Sequence, residues 1–369
     1  MSSANNSTRD QISTSQAAVM IINYMLGAGI LTLPRTTVEA AKTPDVWISI
    51  LISGLIILLA GMIVVALCRR FQGKTWFQFV PEITGKWLAF VLGLLFIGYF
   101  TIIAAFEIRI MAEVTGLYLL EGTPVWAVVM TFMWIGLYLT TGGINSIARI
   151  CEIILPITLL FFLIAILLSS NIFDIKNLRP VLGSGFMPVI RGLKPSLLSF
   201  TGYEIMFVAM AFMKSPKKGT KAMLVGITVP LVIYLITVIM VIGGLSINGV
   251  ETRTWPTLDL MRSFEMQGLI FERFESLLLV IWIMQIFSTF AITHYAASLG
   301  WSQLLKTKIR PFLFILLPVI FLIAMIPKDV SETFKLGGVV GNASIFLFGA
   351  LPLLLLLISI ARKKGVKPK

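Results

Sequence analysis

The segment Ile21-Ile22-Asn23-Tyr24-Met25-Leu26-Gly27-Ala28-Gly29-Ile30-Leu31-Thr32-Leu33-Pro34 decides how the chain is read. It is apolar enough to enter a bilayer, yet Gly27 and Gly29 lie near its middle. A glycine costs a helix about 1 kcal/mol relative to alanine. A backbone opened inside lipid also leaves amides and carbonyls that water cannot reach. A Gly-x-Gly at that depth therefore persists only where the freed groups find other partners. A membrane helix that unwinds and binds a ligand through its backbone meets this condition. Small residues for close helix packing meet it too. The choice turns on a second interruption at a matching place.

The chain has 369 residues, 57% hydrophobic and 13% charged, with a mean hydropathy of +0.95. Soluble domains carry about a quarter charged residues, so the fold class is an all-α polytopic membrane protein. The net charge of +13 does not point to nucleic acid. Its basic residues cluster in short stretches between apolar runs, the positive-inside pattern. Cys68 and Cys151 fall at expected cytosolic helix ends and imply no disulfide framework. One histidine excludes a His-rich metal site. No nucleotide loop, catalytic triad or cofactor motif is present, so neither an enzyme nor a cofactor is expected.

Apolar periodicity gives ten spans. They run about Thr14–Leu33, Trp47–Cys68, Trp87–Leu119, Val125–Thr141, Ile147–Ser169, Pro195–Met213, Met223–Leu245, Glu275–Leu299, Phe312–Ile326 and Gly338–Ala361. Ser13 and Gln16 have capping-box spacing ahead of the first. The Gly- and Pro-rich stretch Asn171 to Lys194 reads as non-helical. Of the 30 Lys and Arg, 18 flank helix ends on one side, from Arg9 through Arg69, Lys217 and Lys306 to Lys367 and Lys369. Both termini are therefore expected in the cytosol.

Ten spans form a single transmembrane domain, 1–369, of two five-helix repeats, about 13–170 and 195–361. Because five is odd, the two repeats are inverted, and the sixth span should mirror the first. It reads Ser199-Phe200-Thr201-Gly202-Tyr203-Glu204, with glycine, hydroxyls and a carboxylate inside an apolar run. Interrupted segments at matching positions of two inverted halves point to a binding site near the midplane.

Gly27-Ala28-Gly29-Ile30 resembles the first-helix break of the amino acid–polyamine–organocation superfamily, and Phe200 to Glu204 resembles its sixth-helix break. Within that superfamily the whole chain is similar to the B subunits of bacterial endospore germinant receptors. The features are Gln11-Ile12-Ser13, Gly29-Ile30-Leu31-Thr32-Leu33-Pro34-Arg35, and a sixth helix running into Lys214-Ser215-Pro216. This resemblance implies a nutrient-sensing receptor subunit in the spore inner membrane, a specialised bacterial cytoplasmic membrane. Its implied partners are a companion membrane subunit, a lipoprotein subunit and membrane lipid. The rival reading is a cation- or proton-coupled amino acid transporter.

Gly27, Ala28, Gly29, Ile30, Phe200, Thr201 and Gly202 supply the expected ligand-binding backbone. Half-helix N-terminal amides suit a carboxylate and opened carbonyls suit an ammonium, so a small amino acid is the leading ligand and a small neutral molecule the alternative. Tyr99, Ile103 and Glu107, four residues apart, share one helix face. Tyr99 and Ile103 read as ligand wall, and Glu107 as part of a polar path above it or as a partner of Arg109. Glu204 reads as a gating acid or as a carboxylate at a half-helix N-terminus. Gln285, Thr289 and Thr293 share a face of the eighth span, and Thr289 and Thr293 are further expected ligand-binding residues. Ser288 and Thr289 resemble the sodium-coordinating hydroxyls of some related transporters, or they hydrogen-bond between helices. Proton-coupled relatives carry a lysine in the fifth helix, and none lies between Ile150 and Ser170. Lone His294 reads as a hydrogen-bonded core group, and Arg149 with Glu152 as an i, i+3 pair.

The orientation is checked with single-cysteine variants in sealed cells. Lys217→Cys and Lys364→Cys should resist an impermeant thiol reagent, and Asn177→Cys should react. Labelling at 217 without permeabilisation would end the assignment.

Overall fold

The computed structural model describes residues 10–263 and 274–365. Arg9, Lys367 and Lys369, which contribute to the expected orientation, lie outside the described residues. The described chain is helical: α1 Thr14–Leu26, α2 Gly29–Ala41, α3 Val46–Arg70, α4 Trp76–Thr84, α5 Lys86–Tyr118, α6 Val125–Thr141, α7 Gly143–Ser169, α8 Met187–Ser199, α9 Met206–Ala209, α10 Gly219–Glu251, α11 Pro256–Arg262, α12 Phe274–Leu304, α13 Ile309–Met325, α14 Val330–Ser344 and α15 Leu351–Ala361.

Among the described residues, six helices are long and apolar enough to cross a membrane. Two bent pairs add to them, α1 with α2 at 48° and Met187–Ser199 with Tyr203–Phe212 at 41°. The shorter apolar helices α6 and α13 stand beside these. The outer surface carries Leu59, Trp87, Tyr138 and Phe346, all well exposed. Such a continuous apolar exterior fits lipid rather than water, and the protein is an integral membrane protein.

The two bent pairs form the centre. Ile21, Leu26 and Ile30 in the first, and Phe200, Met206 and Phe207 in the second, are buried. α1 packs on α7, α10 and α12, α2 packs on α8 and α10, and α12 lies along α5. A capping box at Ser13 and Gln16 starts α1. Just before it, the Ile12 amide donates to Phe212 O at 2.9 Å and the Lys214 amide donates to Ile12 O at 2.9 Å. This short bridge ties the entry of the first bent pair to the exit of the second.

Three sequence expectations change. The stretch before Lys194, expected to be non-helical, holds α8 from Met187, with Pro188 in the first turn where its missing N–H costs nothing. Pro195 therefore sits inside that helix rather than starting it. The last long helix begins at Val330 rather than Gly338, because Asp329 caps it by accepting from the Glu332 amide at 2.8 Å. The expected Arg149–Glu152 pair is replaced: Arg149 donates to Asn145 at 3.2 Å, and Glu152 accepts from Gln16 at 3.1 Å.

The short helix α4 is not apparent in the sequence and anchors itself through aromatic rings. Trp76 stacks on Phe96 at 5.0 Å and meets Phe207 edge-on at 4.6 Å. It thereby joins α4 to α5 and to the second bent pair. Deleting this buried ring in Trp76→Ala should cost about 3–5 kcal/mol, read as a lowered melting temperature in detergent. An unchanged melting curve would mean that α4 is not part of the core.

Candidate functional site

The first break is the two-residue gap between α1 and α2. Gly27 has φ −39° and ψ −120°, outside both the helical and the extended regions. A Cβ there would lie 2.6 Å from Thr289 Oγ1 and 2.9 Å from Glu107 Oε2, so only glycine permits this approach. The second break turns at Gly202, whose φ of +134° is open to glycine alone.

Opening two helices in a buried interior frees polar backbone groups, and side chains take several of them. Asn23 O accepts from Gln285 Nε2 at 2.9 Å and from Thr289 Oγ1 at 3.2 Å. The Ala28 amide donates to Glu107 Oε2 at 3.1 Å, and the Gly202 amide donates to Glu204 Oε2 at 2.7 Å. Each break thus carries one buried carboxylate on one freed amide. The Tyr234 hydroxyl of α10 reaches both breaks, bonding Met25 O in the first and Ser199 O, at 3.1 Å, in the second. Among the described residues, the amides of Gly29 and Ile30 have no hydrogen-bond acceptor.

Between the breaks lies a cavity of about 190 Å³. Gly29, Tyr24, Ile103 and Glu107 line one side, and Ser199 and Thr201 line the other. Phe334 and the glycines Gly337, Gly338 and Gly341 of α14 line it as well. A side chain on Gly29 would meet the Tyr234 hydroxyl at 2.6 Å.

Of the residues named from sequence, Gly29, Ile103, Glu107 and Thr201 face this cavity. Gly27 and Ala28 form the break beside it through Thr289 and Glu107. Glu107 lies at the break itself rather than above it. Arg109 does not partner it, pairing with Glu113 at 2.7 Å and Ala324 O at 3.1 Å. Tyr99 is not on the cavity wall; its hydroxyl donates to Glu204 Oε1 at 2.7 Å. Glu204 is buried behind the second break, with Phe200 packed on the Tyr234 ring at 5.1 Å. Ile30 turns its carbonyl to Thr257 Oγ1 at 3.1 Å.

Thr293 bonds Thr289 O at 2.8 Å within its own helix. The Ser288 hydroxyl donates to Gln285 O at 2.7 Å, and Thr289 bridges α12 to α1. Both hydroxyls thus make the helix-to-helix and within-helix bonds usual in membrane proteins. No cluster of three His, Cys, Asp or Glu suited to a metal occurs among the described residues. His294 is bonded in the core, with Nε2 3.0 Å from Leu313 O.

Sequence reasoning missed Tyr24, Asn23, Ser199, Tyr234 and the α14 glycines. Tyr234 and Asn23 carried one usable signal, a polar group inside an apolar span, which must find a partner there. The glycine run of α14 had none, since only the tertiary fold brings it to the breaks.

Known proteins share this architecture. The family model described as spore germination protein matches residues 11–333. Spore germination protein YndE of Bacillus subtilis (strain 168) is 54% identical over 98% of this chain and 99% of its own length. Spore germination protein A2 of the same organism is 36% identical over 97% and 98%. The crystal structure of MhsT in complex with L-phenylalanine superposes with a TM-score of 0.71, covering 95% of this chain and 99% of that one at 12% identity. That likeness concerns the fold. The paired helix breaks and the near-complete match to these relatives lead to one assignment: the chain belongs to the spore germination protein family.

Proposed function

We propose that this protein is a nutrient-sensing subunit of a germinant receptor, binding a small amino acid between its two helix breaks. The observation that supports the reading best is the cavity bounded by Gly29, Glu107, Ser199 and Thr201. It offers both signs of charge. The free amide of Gly29, on the cavity wall at the N-terminus of α2, suits a carboxylate. Glu107 and the nearby carbonyl of Ser199 suit an ammonium group. A volume of about 190 Å³ admits a compact ligand. Ten spans in two inverted repeats, about 13–170 and 195–361, with both termini cytosolic, complete the proposed architecture. A companion membrane subunit, a lipoprotein subunit and the spore inner membrane follow from the resemblance to receptor B subunits.

A secondary transporter is the second reading. It is favoured by the 23% identity over 291 residues to an uncharacterized amino acid permease, YvbW of Bacillus subtilis (strain 168). Both readings share the site and differ in whether the bound state completes alternating access or biases a conformation that partners read. Without the fifth-helix lysine and with Ser288 and Thr289 engaged in hydrogen bonds, the receptor reading is preferred.

Binding to a panel of labelled amino acids decides. Gly29→Leu should insert normally and lose binding, and Glu107→Gln should weaken it by about 2 kcal/mol or more. Glu204→Gln, away from the cavity wall, should keep the affinity but lower stability by about 1–3 kcal/mol. Proteoliposomes should bind the ligand without concentrating it under sodium or proton gradients. Normal binding by Gly29→Leu would remove the site, and gradient-driven uptake would make the protein a symporter.

A further inference from the structure

A second recess opens on the outer surface, away from the helix breaks. It has a volume of about 520 Å³ and lies between α5, α12 and α13. Ile97 and Gly98 form part of its floor, and Trp301, Leu305, Phe312 and Val319 line its sides. Its lining is almost wholly apolar. The Thr101 hydroxyl in it is already committed to Ile97 O at 2.8 Å. From Phe312 to Ile323 it follows α13 for about 16 Å at 1.5 Å per residue.

One end of the recess differs from the rest. Leu305 and Phe312 bracket the α12–α13 turn, which carries Lys306, Lys308 and Arg310, all solvent-facing. None of the three makes an ion pair among the described residues. The turn is stiff: Ser302 Oγ donates to Thr307 O at 2.6 Å, and the Thr307 amide donates back to Ser302 O at 2.9 Å. Trp301 and Phe312 stack at 6.3 Å across the mouth. Aromatic rings and cations at helix ends mark the membrane–water interface.

We propose that this recess is a binding site for an anionic glycerophospholipid. One acyl chain lies along α5 and α13, and the phosphate rests on Lys306, Lys308 and Arg310. The apolar walls match a chain that brings no hydrogen-bonding groups. The unpaired cations match a headgroup with net negative charge. A transmembrane helix of another protein would fill the walls but leave the cations without a counter-charge. That is why lipid is the assigned occupant.

Gly98 supplies the test, since a Cβ built there meets nothing within 4 Å. Gly98→Phe should fill the recess without disturbing the core. The full chain is placed in phosphatidylcholine nanodiscs doped with phosphatidylglycerol carrying a photoreactive group on its acyl chain. Labelled peptides are mapped by mass spectrometry. Labels should fall in 94–102 and 312–323, and unlabelled phosphatidylglycerol should compete where phosphatidylcholine does not. Gly98→Phe should abolish these labels. Changing Lys306, Lys308 and Arg310 to Gln should weaken competition roughly fivefold per cation. Equal labelling by a phosphatidylcholine probe, or labelling unchanged in the triple variant, would reduce the recess to ordinary lipid belt and overturn the proposal. Exclusion of the probe from the native chain by a co-expressed membrane partner that no longer co-purifies with Gly98→Phe would overturn it in favour of a protein helix. If Gly98→Phe melts lower than the native chain, the triple variant alone decides between these outcomes.

Discussion

The hydroxyl of Tyr234 lies between two carbonyls, Met25 O at the end of α1 and Ser199 O at the end of α8. Those carbonyls exist as free acceptors only because both helices stop inside the protein. In a dry interior an unpaired backbone group costs on the order of 1–3 kcal/mol. The breaks therefore stand only while other groups satisfy them. Tyr234, Glu107, Glu204, Gln285 and Thr289 do so from α10, α5, the second break itself and α12. The glycines open the backbone, and the surrounding side chains keep it open.

This division of labour explains what was legible in the sequence. Gly27, Gly29 and Gly202 stand out because they fall at matching positions of the first and sixth spans, whereas a lone glycine in a span reads equally well as close packing. The pairing of the two breaks follows from counting spans. The satisfying groups are harder to place: Tyr234 and Gln285 show as polar groups inside apolar spans, but only the fold tells which freed carbonyl each one meets. Glu107 was readable as functional but not as to depth: one helix turn decides whether it lies above the break or on the Ala28 amide. Helix ends failed where a local start signal, a polar cap or a first-turn proline, outweighed composition. Asp329 starts α14 well before the apolar run, and Pro188 starts α8 inside a stretch rich in loop-forming residues.

The same arrangement suits a sensor. The proposed ligand would lie against backbone groups that are already fixed, with Glu107 held in place on the Ala28 amide. Preorganised groups need little rearrangement to bind, so the ligand's contacts can instead bias the relation between the two bent pairs. Those pairs are joined at two levels, by Tyr234 at the breaks and by the Ile12 bridge to Phe212 and Lys214 at their ends. A change at one break thus has a direct physical route to the other.

That coupling is the central claim, and it is measured most directly by hydrogen–deuterium exchange on the native chain and Tyr234→Phe. Phenylalanine keeps the ring packed on Phe200 and removes only the hydroxyl that joins the breaks. Coupling through that hydroxyl predicts faster exchange in both the 21–34 and the 196–206 peptides, with α3 and α6 unchanged. Faster exchange at one break alone, or at neither, would contradict it.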